Sequence, residues 1–133
     1  EINLFNEKNN GETLLNLIDK NFIKSAHDIS LGGLITALSK MCIKGNKGIK
    51  MKKIKNLMNE IKYYFAEDQG RYLIEISPKE LNKVTDILNK NSVHYEEIGV
   101  IIEKEMIIND KTKVTIDELK TYNTNWFNEY MSA

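Results

Sequence analysis

The sequence predicts an α/β (α+β) fold, a mixed sheet sandwiched with helices, and three observations carry that prediction. Stretches with apolar residues at three-and-four spacing recur along the chain, and between them lie short runs with strand-like alternation. The order reads helix, strand, helix, strand, then strand, helix, and a strand meander closed by a terminal helix. Such mixing is accommodated by helices layered on a mixed sheet. The 133 residues, 41% hydrophobic and 29% charged, suit a single globular domain over residues 1–133 with a sizeable core.

Taken in order, Glu1 to Lys8 is polar and unpatterned and reads as a lead-in from an upstream domain. Asn9 or Asn10 is placed to cap a helix bearing Leu14, Leu15, Leu17, Ile18 and Phe22. Phe22-Ile23-Lys24-Ser25-Ala26 has the short, small and apolar character of a buried strand. Ser30 then stands as an N-cap for a helix whose buried face is Leu31, Leu34, Ile35, Leu38, Met41 and Cys42. Gly45-Asn46-Lys47-Gly48 ends that helix, and Gly48-Ile49-Lys50-Met51 begins a short strand.

The lysine-rich stretch from Lys52 to Lys62, with Ile54, Leu57, Met58 and Ile61 between its charges, reads as a short exposed helix. Tyr72, Leu73, Ile74 and Ile76 form a strand, with Tyr72, Ile74 and Ile76 on one face. Ser77-Pro78-Lys79-Glu80 is a capping box that opens a helix burying Leu81, Val84, Ile87 and Leu88. Asn89 to Ser92 closes it. Ile98, Val100 and Ile102 alternate as a strand, Met106-Ile107-Ile108 makes another, and Asn109-Asp110-Lys111 turns into Lys113-Val114-Thr115. Thr115-Ile116-Asp117-Glu118 is a second capping box, leading to a tail whose Trp126, Phe127, Tyr130 and Met131 share one helical face.

Composition excludes several classes of function. Nineteen basic and nineteen acidic side chains cancel, so neither a nucleic acid nor an anionic membrane is indicated as partner. No apolar run approaches the ~20 residues that span a bilayer, and Glu1-Ile2-Asn3-Leu4 does not read as a signal peptide. The lone cysteine, Cys42, suits a reducing, cytoplasmic setting and lies on an apolar helix face as a core thiol. Eighteen of the nineteen basic residues are lysine, so the single arginine, Arg71, with its planar fork of donors, is the more informative cation.

Two segments carry the chemistry-bearing residues. The first is Ser25-Ala26-His27-Asp28-Ile29-Ser30-Leu31-Gly32-Gly33-Leu34. His27 and Asp28 are neighbours on an expected strand, point to opposite faces, and form no dyad with each other. No second ligand stands at metal spacing from either. Gly32 and Gly33 are costly inside a helix and serve either close backbone packing or the approach of an anion to exposed N–H groups. The second segment is Tyr63-Tyr64-Phe65-Ala66-Glu67-Asp68-Gln69-Gly70-Arg71-Tyr72. Its Glu67, Asp68 and Gln69 are suited to accept from ligand hydroxyls and amines, or else to cap a turn while pairing with Arg71. A Glu67–Arg71 loop folded over the glycines would let Arg71 add a second contact to a bound phosphate.

These two segments resemble signatures of phosphoribosylformylglycinamidine synthase, synthetase (large) subunit. Ala26-His27-Asp28-Ile29-Ser30 with Gly32-Gly33-Leu34 looks like that family's Ala-His-Asp-x-Ser-Asp-Gly-Gly-Leu run, and Phe65 to Leu73 looks like its Phe-x-Glu-Ser-x-x-Arg-Phe/Tyr segment. Ala37-Leu38, Met41, Gly48-Ile49, Tyr95 to Ile101 and Trp126 extend the similarity over nearly the whole chain. Leu31 stands where the family usually has Asp.

The resemblance implies that residues 1–133 are the last C-terminal-type domain of a larger synthetase, with the C-terminal-domain fold of the aminoimidazole ribonucleotide synthetase superfamily. The activity it implies is that of an ATP-dependent ligase of purine biosynthesis, joining formylglycinamide ribonucleotide and glutamine-derived ammonia to give the amidine. It further implies ATP and magnesium in the full-length enzyme, with ligands mainly on other domains, and none for this stretch. The implied partners are the N-terminal domains of the same polypeptide, a glutaminase subunit or domain, and a small-molecule nucleotide substrate. Self-association through bare faces is also expected.

No catalytic or metal-binding residue is assigned. The candidates for contact with substrate or nucleotide are His27, Asp28, Ser30, Gly32, Gly33, Glu67, Asp68, Gln69 and Arg71. The segment Glu67-Asp68-Gln69 sits at the place equivalent to a substrate-touching segment in the family's first-copy domain, and the resemblance implies here the second copy, with a degenerate site that holds a structural nucleotide. A free-standing binding domain of the same fold, or a domain of a related ATP-dependent kinase or synthetase, are the alternatives.

Overall fold

A computed structural model describes residues 3–52 and 60–132. The elements are α1 (Leu4–Asp19), β1 (Ser25–Asp28), α2 (Gly33–Gly45), β2 (Gly48–Met51), α3 (Glu60–Phe65), β3 (Tyr72–Glu75), a 3-10 turn (Pro78–Glu80), α4 (Leu81–Lys90), β4 (Gly99–Ile102), β5 (Glu105–Ile108), β6 (Thr112–Thr115) and α5 (Ile116–Ser132). The mixed helix-and-strand architecture is as expected, but the strands divide into two sheets rather than one. An antiparallel pair joins β1 to β3, and a four-stranded sheet runs β4-β2-β5-β6 with β2 and β5 parallel. The chain forms two compact units, residues 1–37 with 61–96 and residues 38–60 with 97–133.

In the first unit, α1 begins within the expected lead-in. Asn3, rather than Asn9 or Asn10, caps it, its side chain accepting from the Asn6 amide at 3.1 Å. Asn9 and Asn10 instead lie inside the helix and reach outward with their side-chain amides, to the carbonyls of Asn91 and Gly70. Leu17 on α1 and Val84 and Leu88 on α4 are fully or nearly fully buried and form one apolar cluster, flanked by Phe22, Ile23, Ile74, Ile76, Ile87 and Val93. The strand expected at Phe22 to Ala26 starts three residues later. Phe22 and Ile23 pack on this cluster, and pairing begins only where β3 faces Ser25.

On β3 the deeply buried residue is Leu73, while Tyr72 at its start is exposed. Ile74 and Ile76 keep their expected place against the cluster. The capping box expected at Ser77 is not formed. Ser77 makes no side-chain cap, and Glu80 Oε2 lies 2.9 Å from Lys83 Nζ instead. Leu81, at the start of α4, is exposed rather than buried.

In the second unit the sheet is registered by Ile49 opposite Ile101 and Met106, and by Met106 opposite Val114. Among the described residues, Leu38, Cys42, Ile49, Met51, Met106 and Ile116 are its buried apolar residues. The turn at Asn109 and Asp110 has both residues in the left-handed region, φ 53° and 56°, which suits a tight antiparallel hairpin. On β4 the expected alternation fails, since Val100 and Ile101 are both exposed and Ile102 is half-buried.

The second capping box is formed as expected. Glu118 accepts from the Thr115 amide and hydroxyl, both at 2.8 Å, and the Thr115 hydroxyl accepts from the Glu118 amide at 3.2 Å. Ile54, Leu57 and Met58 of the expected lysine-rich helix lie outside the described residues, and Ile61 on α3 is exposed. Among the described residues no helix is long and apolar enough to cross a membrane.

Candidate functional site

The pairing of β1 with β3 brings the two chemistry-bearing segments together. Asp28 is registered opposite Tyr72, and the ladder continues one residue further through the Ile29 amide, which donates to the Arg71 carbonyl at 2.9 Å. Where the strands end, the chains on either side diverge and leave an open cleft of about 380 Å³. Asp28, Ile29, Ser30 and Leu31 line one side; Glu67, Gln69, Gly70, Arg71 and Tyr72 line the other.

Beside the cleft the chain turns sharply into α2. Gly32 and Gly33 sit at φ 83° and 68°, a conformation that side chains disfavour. A Cβ on Gly33 would lie 2.7 Å from the Phe65 Cα, so the backbone of α3 packs directly on this glycine. Of the two readings of the glycine pair, close packing therefore holds for Gly33.

The N–H groups expected to stand open there are engaged. The Gly32 amide donates to Glu67 Oε1 at 2.7 Å, and the Gly33 amide donates to the Ser30 carbonyl at 2.9 Å. The Glu67–Arg71 loop does fold over the start of α2, but it delivers a carboxylate, not the guanidinium. Ser30 is not the N-cap next to the helix, which begins at Gly33. Its contribution to the turn is the carbonyl.

Arg71 is held within its own loop. Its Nη1 lies 3.6 Å from Asp68 Oδ2 and 3.5 Å from the Ala66 carbonyl, with the side chain one-third exposed. Asn10 fixes the same loop from α1, donating to the Gly70 carbonyl at 3.0 Å. Asn10 is a positioning residue that the sequence disguises as a helix cap.

His27 and Asp28 do not diverge as expected. His27 Nδ1 lies 2.6 Å from the Asp28 carbonyl oxygen and 3.4 Å from Asp28 Oδ1. Because a carbonyl only accepts, that distance puts the imidazole proton on Nδ1. Of the candidates, Asp28, Ser30, Glu67, Gln69 and Arg71 line the cleft; His27, Gly32, Gly33 and Asp68 lie beside it as supports. Four liners fall outside the candidates: Ile29, Gly70, Tyr72 and Leu31. The sequence pattern places Tyr72 on a packed strand face, and Leu31, 79% exposed, on the buried face of a helix it precedes.

Chemically the cleft offers acceptors and a small apolar wall. Asp28, Glu67 and Gln69 suit ligand hydroxyls or amines, while Ile29, Leu31 and Tyr72 offer surface for a carbon face. The donor set does not fit a magnesium-bound triphosphate. Among the described residues two carboxylates face the space, the only lining cation is shared with Asp68, and the Gly32 amide already has an anion. Among the described residues, no group of three or more His, Cys, Asp or Glu is arranged to hold a metal ion.

Comparison with known proteins agrees with this picture of a shared fold. The chain is 63% identical over 131 residues to phosphoribosylformylglycinamidine synthase subunit PurL of Pelagibacter ubique, a match over 98% of this chain and 18% of that protein. It is 38% identical over 125 residues to the same subunit from Bartonella bacilliformis, covering 94% of this chain and 17% of that protein. The chain thus spans less than a fifth of the length of these curated relatives.

Among solved structures, Thermotoga maritima PurL complexed with ATP superposes with a TM-score of 0.72 at 22% identity, over 84% of this chain and 21% of that one. The same protein complexed with FGAR superposes equally well, TM-score 0.72 at 23% identity, over 85% of this chain and 20% of that one. At that level of identity the superposition concerns the fold. The resemblance drawn from the two segments is borne out by these matches. Residues 1–111 match the model of the AIR synthase related protein, C-terminal domain, and the chain belongs to that family.

Proposed function

We propose that this chain acts as one domain of an ATP-dependent carbon–nitrogen ligase of purine biosynthesis, in the cytoplasm, and that it lacks ligase activity alone. In that reaction the amide oxygen of formylglycinamide ribonucleotide takes the γ-phosphoryl group of ATP, leaving ADP. Ammonia from glutamine then displaces phosphate to leave the amidine. Support comes from the 63% identity to a PurL subunit together with the meeting of both signature segments at one cleft.

In this reading Asp28, Gln69 and the free oxygen of Glu67 accept from hydroxyl or amine groups of the nucleotide substrate. Arg71 and Ser30 complete the rim. His27, Gly32, Gly33 and Asp68 hold these groups in place. ATP and magnesium are bound by other domains of the polypeptide, since phosphoryl transfer needs cradled phosphates and metal ions that this donor set does not fit. A glutaminase subunit or domain supplies the ammonia.

The test compares the 133-residue chain with the complete polypeptide that carries it. The isolated chain should show no ATP turnover tracking with the protein through purification, and the complete polypeptide should form the amidine. There, Asp28→Asn and Gln69→Ala should raise KM for the ribonucleotide several-fold with thermal stability unchanged. ATP turnover by the isolated chain, or an unchanged KM in both variants, refutes the reading.

A further inference from the structure

The helix α5 leaves its apolar half bare. Tyr122, Trp126 and Tyr130 succeed one another at four-residue spacing, with Phe127 and Met131 alongside, and these five are 77%, 61%, 75%, 53% and 67% exposed in that order. The helix itself is well made. Its start is locked by the Thr115–Glu118 capping box, its first residue Ile116 is 1% exposed, and Lys120 Nζ donates to the Asn46 side chain at 2.7 Å. Beyond Lys120 every described side chain is exposed. The helix lies outside residues 1–111, the part matched by the family model, so the shared fold does not account for the stripe.

The charge pattern narrows the occupant. Asp117, Glu118 and Glu129 against the single cation Lys120 make the helix acidic, the wrong sign for anionic lipid or a phosphate backbone. Two phenol hydroxyls and the indole N–H require acceptors once buried. A second copy of the same stripe would bring two acidic helices together, and its side chains would offer those donors only phenol oxygens as strong acceptors. A surface of different composition is the better match. The 63% identical relative aligns with 98% of this chain, yet more than four-fifths of its length lies outside the alignment.

We propose that the aromatic face of α5 is an intramolecular docking surface, seated in an apolar, acceptor-lined groove on another domain of the same polypeptide. This rests on the reading of the chain as one domain of a larger enzyme. It adds which surface makes the contact.

Amide hydrogen exchange on the isolated chain and on the complete polypeptide is the direct test. Peptides from residues 120–131 should exchange at least about tenfold more slowly in the complete polypeptide. The double change Trp126→Ser with Tyr130→Ser should abolish that protection while leaving protection of α4 and β5 intact. Equal exchange of 120–131 in both forms overturns the proposal. So does protection in the isolated chain that grows with its concentration, which would make a second copy the occupant. Amidine formation is assayed on the same preparation. Activity without protection refutes only the docking, and protection without activity refutes only the enzymatic reading.

Discussion

Glu67 Oε1 lies 2.7 Å from the amide nitrogen of Gly32, a contact that spans 35 residues of sequence and closes the start of α2 with a carboxylate. A negative group at a helix N-terminus is favoured both by the free donors there and by the dipole. The position that invites a phosphate in the sequence is filled by the protein's own side chain. The cleft beside it keeps its acceptors for other ligand groups.

Removing that carboxylate has two measurable effects. Glu67→Ala should lower stability by about 1 kcal/mol, the usual worth of an exposed helix cap, read from denaturant unfolding. It should also open the Gly32 amide, so that phosphate shifts the amide resonances of Gly32 and Leu34 in the variant more than in the unaltered chain. Equal phosphate shifts in both would mean that the carboxylate does not guard the amide.

Gly33 and Gly45 make a matched pair of opposites. Gly33→Ala combines an unfavourable φ with a Cβ 2.7 Å from the Phe65 backbone, and should cost at least about 2 kcal/mol. A Cβ on Gly45 meets nothing within 4 Å, so Gly45→Ala should be neutral or stabilising by up to about 1 kcal/mol. Urea unfolding of the two variants side by side checks both signs.

The cluster around Leu17 should be the least forgiving part of the first unit. Leu17 is 1% exposed between Val84 and Leu88, and Leu17→Ala leaves a cavity that costs about 3 kcal/mol. Leu81→Ala, on the same face of the sequence pattern but exposed, should cost far less. Similar losses for the two would contradict the packing described.

Burial pushes the Cys42 thiol up to about 11 from its ordinary value of 9. The folded state therefore holds its proton where the unfolded chain has begun to lose it. The stability this contributes is complete below pH 9 and is lost as pH rises from 9 towards 11. Thiol-directed reagents at pH 8 should react slowly with the folded chain and rapidly after unfolding. Cys42→Ala should flatten the alkaline loss of stability.

Glu118 behaves in the opposite sense. Hydrogen bonds from the Thr115 backbone and hydroxyl hold its carboxyl below the usual glutamate range. Their stabilising effect is present above that ordinary range and fades as pH falls through the lowered value. Side-chain carbonyl shifts should titrate below those of a free glutamate, and Thr115→Ala should bring the midpoint back up.

Some of this protein was determined by local sequence alone. Val84 and Leu88 on one face of α4, the turn at Asn109 and Asp110, and the Thr115–Glu118 capping box each depend on residues within one or two turns of each other. Spacing and side-chain type suffice for such features. The tertiary structure decided the rest. Ser77 and Glu80 have the same capping pattern as Thr115 and Glu118, yet Glu80 lies against Lys83. Asn10 looks like a cap and instead holds Gly70. Leu31 fits a helical stripe but lies exposed at the cleft, and β1 begins where β3 can pair with it rather than where its apolar residues begin. Burial and hydrogen bonding are relations between two groups, and when the second group lies tens of residues away, spacing along the chain carries no information about which donor meets which acceptor.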